Sequence, residues 1–222
     1  MTPKQHRAAI LSAATMAELD AAAAAAADKL TYAEIDNLKP YAQALITGHR
    51  EPIGKPAARW LQSATLGAWS VGHVLNYAAA VYLERRGLHL VTCNRYIMFA
   101  VSAPWAEAGA LYAIDPKRGE VARAHTDARY PDPHRIYAGR YRYAPKPLEI
   151  TGTGKQGGTP IYHLSNGQLI SRKYFDAARR LRGHGIILAT GMAGQLTRPI
   201  CIDSADGLAT GMIMPMHPER TR

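Results

Sequence analysis

Residues 198–217 read RPICIDSADGLATGMIMPMH. Two apolar, β-forming runs flank the turn residues Asp206-Gly207, which is the pattern of paired antiparallel strands. GIILAT at 185–190 supplies a third strand of the same kind. The last run ends in Met212, Ile213, Met214, Pro215 and Met216, a soft apolar stretch at a place where chains fray unless something ties them down.

Immediately upstream, SRKYFDAARRLRG (171–183) predicts a helix, with Ser171 as N-cap and Gly183 as its stop. At 100° per residue, Tyr174, Phe175, Ala178 and Leu181 share one face, while Arg172, Lys173, Arg179 and Arg180 share the other with only Asp176 among them. One face suits a core; the other is nearly pure cation and suits a phosphate backbone read without sequence preference, there being no interleaved aromatics for base stacking and no base-reading motif.

Farther outward, TPIYHLSNGQLI (159–170) predicts a strand pair around Asn166-Gly167. The stretch 129–158, rich in Pro, Gly and Tyr, is expected to be irregular, with a flexible tip at TGTGKQGG (151–158). ALYAID (110–115), EVARAH (120–125) and the apolar runs 74–83 and 88–101, divided by the turn ERRG, read as strands. PAARWLQSATLGAW (56–69) reads as a helix with Trp60, Leu61, Ala64 and Ala68 on one face.

The first fifty residues differ in kind. Thr15 with Glu18, and Thr31 with Glu34, form the spacing of a capping box before helical runs, and a shorter helix is expected from about Pro3. The Ala21–Ala27 run has high helix propensity but little side chain to bury, so residues 1–50 predict a thin helical arm packed on something else. GHREPIGKP (48–56) reads as the linker that follows it.

The formal net charge is +10, yet residues 1–50 hold five basic and five acidic side chains. The entire excess, 22 basic against 12 acidic, lies in residues 51–222 and points to a polyanion partner. No apolar run approaches the roughly 18 residues needed to span a bilayer, and MTPKQHRAAIL (1–11) lacks the apolar stretch of a secretory signal; the expectation is a cytoplasmic protein with no membrane partner. Cys93 and Cys201 form no ligand cluster and are expected as core thiols. Nine histidines are scattered without ligand or triad spacing, and TGTGKQGG lacks the phosphate-loop spacing, so no catalytic activity, cofactor or metal is expected.

Four stretches, in order, resemble the bacterial β sliding clamp, the ring that tethers the replicative polymerase to DNA. LHLVTCNRYIMFAV (88–101) is similar to the clamp's Leu-Val-Ala-Thr-Asp-Gly-His-Arg-Leu segment, and RYPDPHRIYAG (129–139) to its Phe-Pro-Asp-Tyr linker. ISRKYFDAARRL (170–181) is similar to the helix before its last strands, and RPICIDSADGLATGMIMPMH to its ending in Met-Pro-Met. The resemblance covers roughly residues 56–217 and has departures: Cys93 and Asn94 stand where Thr-Asp is usual, Pro133 replaces the linker tyrosine, and Ala138 or Gly139 falls where proline is expected. A clamp chain has three similar domains, each of two helix-plus-strands halves; this chain has room for one.

The resemblance implies an α+β, sliding-clamp-like domain over 55–218, with helices near 57–68 and 172–182 side by side against antiparallel sheet, and the capping pattern adds the N-terminal helical arm over 1–50. It implies double-stranded DNA on the cationic helix faces, through Arg172, Lys173, Arg179, Arg180, Arg182, Lys55 and Arg59. It also implies a hydrophobic cleft for DNA polymerase or clamp-loader peptides, formed by Tyr96, Met98, Ile136, Tyr137, Met212, Met214, Pro215 and Met216. Two readings stay open: a minimal clamp in which copies form a homo-oligomer around duplex DNA, and a non-encircling mimic or decoy, phage or plasmid encoded, that docks the same peptides.

Overall fold

Period-two alternation in the apolar runs builds a ten-stranded sheet in a computed structural model that describes residues 1–65, 77–83, 86–94, 96–126, 146–179, 187–191 and 199–216. Its strands are β1 (Arg50–Pro52), β2 (Tyr77–Leu83), β3 (Gly87–Cys93), β4 (Ile97–Ser102), β5 (Leu111–Asp115), β6 (Glu120–Ala124), β7 (Lys146–Pro147), β11 (Ile187–Gly191), β12 (Ile200–Ser204) and β13 (Ala209–Ile213), in the order β1-β6-β5-β2-β3-β4-β13-β12-β11-β7. Every pairing is antiparallel. The two parts of the chain meet where β4 pairs β13, with Met98 opposite Met212 and Phe99 opposite Gly211. That meeting is close: a Cβ on Gly211 would lie 2.7 Å from the Phe99 ring. A second sheet is made of β8 (Ile150–Gln156), β9 (Thr159–Leu164) and β10 (Leu169–Ser171), in the order β10-β9-β8.

Two helices cover one face of the large sheet. α4 (Lys55–Thr65) buries Ala57, Ala58, Trp60, Leu61 and Ala64, and α5 (Arg172–Ala178) buries Phe175 and Ala178, all in one core with Leu90, Phe99, Val101, Ile114, Ile202 and Ile213. Trp60 lies flat on Phe99, with centroids 4.4 Å apart and 7° between planes. The small sheet joins the same core through Tyr162, Leu164 and Ile170. This is the α+β arrangement expected from the sequence: helices against antiparallel sheet.

The opposite face is covered at one end by the arm. α1 (Pro3–Ser12), α2 (Met16–Ala26) and α3 (Tyr32–Thr47) share a small core of Ile10, Leu19, Ala26, Leu30, Leu38 and Ala42. Of the arm it is α3 that packs on the sheet, setting Tyr41 and Ala44 on Tyr77, Ala79, Leu111, Ala113 and Ala122. Alternation makes the two faces distinct: Ala78 and Ala80 of β2 face α4, whereas Tyr77 and Ala79 face α3. The Tyr41 hydroxyl donates to the Ile114 carbonyl, and that of Tyr77 donates to the Asn37 carbonyl at 2.9 Å, so each buried phenol is satisfied.

Several local expectations need correction. TGTGKQGG is a strand, β8, that turns at Gly157 and Gly158 into β9; its glycines are explained across the ladder, where the His163 ring lies 3.0 Å from the place a Cβ on Gly154 would take. The expected linker 48–56 contains β1, which ladders onto β6 and completes that edge of the large sheet. Residues 88–101 contain two strands rather than one, β3 and β4, paired antiparallel with Cys93 opposite Met98. Thr31 and Glu34 form a full capping box, but at Thr15 the Glu18 carboxylate takes the Ala14 amide instead of the Thr15 amide. Ser171 holds the N-cap position of α5 without a side-chain capping bond. Both cysteines are half-buried rather than core. Residues 66–68, the expected end of the first helix, and 180–183, with Leu181 and Gly183, lie outside the described residues.

Candidate functional site

The same periodicity that buries one side of α4 and α5 exposes the other. Lys55 and Arg59 of α4, Arg172 and Lys173 of α5, and Arg179 just past it are all exposed. Arg172 is partly engaged: its Nε lies 3.4 Å from Asp176 Oδ2, and its guanidinium sits 5.6 Å from the Tyr162 ring centroid. Tyr162 in turn donates its hydroxyl to Asp176 Oδ1 at 2.9 Å. An exposed i,i+4 pair is worth roughly 0.3–0.5 kcal/mol, so a phosphate can compete for Arg172. Lys173 Nζ lies 5.7 Å from the Tyr174 ring. Arg180 and Arg182 fall outside the described residues.

The Met-Pro-Met segment does not fray because it bridges the two sheets. The Met214 amide donates to the Tyr96 carbonyl at 2.7 Å, continuing the β13–β4 ladder, and the Met216 amide donates to the Leu169 carbonyl of β10 at 2.8 Å. Pro215, which has no amide to satisfy, stands at the crossing. Exposure divides the expected cleft residues. Met98 and Met212 are 0% and 3% exposed and pack with Leu83, Val91 and Ala100, so both belong to the core rather than to a surface. Tyr96 and Met214 are 52% and 37% exposed, and Pro215 and Met216 are half-buried. Ile136 and Tyr137 lie outside the described residues.

Two residues that the sequence pattern does not assign to this patch join it. Tyr174 of α5 stacks on Tyr96, with centroids 5.7 Å apart and 18° between planes, and burial beside Tyr96 pushes its phenol above the ordinary value. Helical periodicity puts Tyr174 on the core side but cannot say that it sits at the rim. Asn94 fixes the turn that carries Tyr96: its Oδ1 accepts from the Tyr96 and Ile97 amides at 2.8 and 2.9 Å, and its Nδ2 donates to the Ala64 carbonyl at 2.7 Å. Thr92 Oγ1 caps the Leu61 carbonyl at 2.8 Å in the same way, so β3 ties off the last turn of α4.

The outcome is a cationic surface on α4 and α5 and an aromatic–thioether patch at Tyr96, Tyr174, Met214, Pro215 and Met216, sharing Tyr174 as their border. Cations attract phosphate, and flexible thioethers beside aromatic rings accept varied apolar side chains. Among the described residues no group of three or more His, Cys, Asp or Glu could hold a metal ion, and no helix is long and apolar enough to cross a membrane.

No family model and no curated protein matches the chain. Among solved structures, it is similar to DNA polymerase III subunit beta from Borrelia burgdorferi, at 14% identity and a TM-score of 0.48, over 77% of this chain and 63% of that one. The Helicobacter pylori beta clamp bound to a DNA ligase peptide is similar at 8% identity and a TM-score of 0.41, over 76% and 66%. The Thermotoga maritima beta subunit is similar at 10% identity and a TM-score of 0.43, over 77% and 66%. The chain thus spans less than two thirds of the clamp chains it matches, and they belong to the family that its sequence resembles.

Proposed function

We propose that this chain is a clamp-like, DNA-associated binding protein: it holds duplex DNA without sequence preference on α4 and α5, as a homo-oligomer, and docks polymerase- or clamp-loader-type peptides on the patch around Tyr96 and Met214. What carries the reading is the 2.7 Å hydrogen bond from the Met214 amide to the Tyr96 carbonyl. It joins, at the surface, two segments far apart in sequence that the resemblance assigns to one peptide site. The work is binding rather than catalysis.

One observation favours the second reading, a non-encircling mimic or decoy. Among the described residues the outermost strands of the large sheet are short and carry proline, β1 ending in Pro52 and β7 in Pro147, a feature by which sheets avoid pairing with further copies. Light scattering separates the readings: an oligomer at micromolar concentration supports the clamp, and a strict monomer that still binds peptide supports the mimic. Duplex titration over a range of salt tests the shared DNA claim. The R172A/K173A/R179A variant is expected to lower the salt slope by about 2.7, at about 0.9 for each phosphate no longer neutralised. A wild-type chain with no affinity for duplex removes the DNA part of the reading.

A further inference from the structure

The cationic surface does not stop at the helices. The turn between β5 and β6, Pro116–Gly119, is pinned to the start of α4: the amides of Ile53 and Gly54 both donate to the Gly119 carbonyl at 2.9 Å. The approach is so close that a Cβ on Gly119 would meet the Lys55 backbone nitrogen at 2.4 Å, and Gly119 has a φ of 81° that other residues rarely adopt. Asp115 shapes the turn itself, its Oδ1 accepting from the Lys117 and Arg118 amides at 3.1 Å each. Lys117 and Arg118 are thereby presented, exposed, at the end of α4 that carries Lys55 and Arg59.

Two carboxylates stand beside this turn, and both are already engaged. Arg50 Nη1 lies 3.2 Å from Asp115 Oδ2 and 3.1 Å from Glu120 Oε2, a bridge formed because β1 ladders onto β6. Arg118 reaches Asp115 only at 3.9 Å, and Lys117 has no ion pair among the described residues. Arg50 thus offsets one of the two acids and the exposed Arg118 only loosely faces the other, so the cluster of Arg50, Asp115, Lys117, Arg118 and Glu120 keeps a net positive charge, carried at Lys117 and Arg118 next to Lys55 and Arg59.

We infer that the β5–β6 turn is a further phosphate-contacting element, with Lys117 and Arg118 extending the duplex-binding surface of α4 and α5 past the start of α4. This rests on the DNA reading above. Sequence alone could not single out these two residues, because DPKRG reads as an ordinary solvated turn until its place against Lys55 is known.

The test is titration of a fluorescein-labelled mixed-sequence DNA duplex across about 50–200 mM salt with wild type, K117Q/R118Q and R172A/K173A/R179A, each checked for an unchanged melting temperature. The glutamines stay polar and leave Gly119 and Asp115 in place, so the turn is retained. With two phosphates no longer neutralised, the salt slope falls by about 1.8, and affinity drops alike for unrelated duplex sequences. A slope equal to wild type in K117Q/R118Q, while the α5 variant shows its decrease, overturns the turn's role and leaves the DNA reading standing. If neither variant differs from wild type, or wild type does not bind, the DNA reading itself fails and the turn with it. Should K117Q/R118Q melt early, K117Q alone, at a side chain without an ion pair among the described residues, gives the same decision at a slope change of about 0.9.

Discussion

The arm and the α4–α5 surface are both helical, yet they balance their charges differently. In the arm, Arg7 pairs with Glu34 and Lys39 Nζ lies 2.6 Å from Asp20, while Glu34 also closes the capping box of α3. On α4 and α5, Lys55, Arg59, Lys173 and Arg179 have no ion pair among the described residues, and Arg172 alone is paired, with its neighbour Asp176. Lys4 and Lys29 of the arm also have no ion pair among the described residues, but they sit among five acids within residues 1–47, whereas α4 and α5 carry a single acid, Asp176. The net charge of zero over residues 1–50, against +10 for the remainder, is the sequence signature of that division.

The comparison breaks if the open cations turn out to hold the fold. Phe175→Ala, which empties the buried side of α5, is expected to cost about 3–5 kcal/mol in urea denaturation. Each of Arg172→Ala, Lys173→Ala and Arg179→Ala is expected to stay within about 0.5 kcal/mol of wild type. Asn94→Ala comes next in size: it strips partners from the Ala64 carbonyl and from the Tyr96 and Ile97 amides, at about 1–3 kcal/mol, and loosens the turn under Tyr96.

Within the arm, Thr31→Ala removes the cap of α3 and is expected to cost about 1 kcal/mol, read by hydrogen exchange of residues 32–35. Glu34 adds a pH signature. Its hydrogen bond from the Thr31 amide is the largest influence on its carboxyl, and with Arg7 it holds that group below the ordinary 4.5. The contribution is therefore whole above pH 4.5 and lost as the pH falls through the lowered value, because the unfolded carboxyl takes up a proton first. The smallest expected effect belongs to His89, whose imidazole burial, with Arg86 nearby, keeps below the ordinary 6.5. Stability from this group is complete above pH 6.5 and declines as the pH falls toward the lowered value, so thermal melts between about pH 8 and 5.5 show a slope that the H89Q variant lacks.

Much of this architecture is legible in local signals. The capping residues placed α2 and α3, period-two runs flanked by turn residues placed β12 and β13, and the 3.6-residue period separated the buried and open sides of α5. What escaped depends on partners distant in sequence. β8 is a strand because β9 lies beside it, not because Gly152 and Gly154 favour one, and β1 exists only as a rung on β6. The resemblance places Met98 and Met212 in a cleft wall, but it carries over motif positions and not their exposure: both are buried, and Tyr174, on the core side by helical period, stands at the rim.

Met214 is the residue at which a docking role for the Met-Pro-Met segment separates from packing alone. Isothermal titration of a Gln-x-x-Leu-Phe peptide into wild type and Met214→Ala, with thermal melts of both, reads binding and folding on the same change. At 37% exposure, Met214 is expected to contribute little to stability, so the melting temperature stays within a few degrees. Peptide affinity is expected to fall about 30-fold, the equivalent of about 2 kcal/mol at a hot spot. A large drop in melting temperature, with no peptide bound by wild type, would rule out a docking role and leave Met214 as a packing residue at the junction of the two sheets.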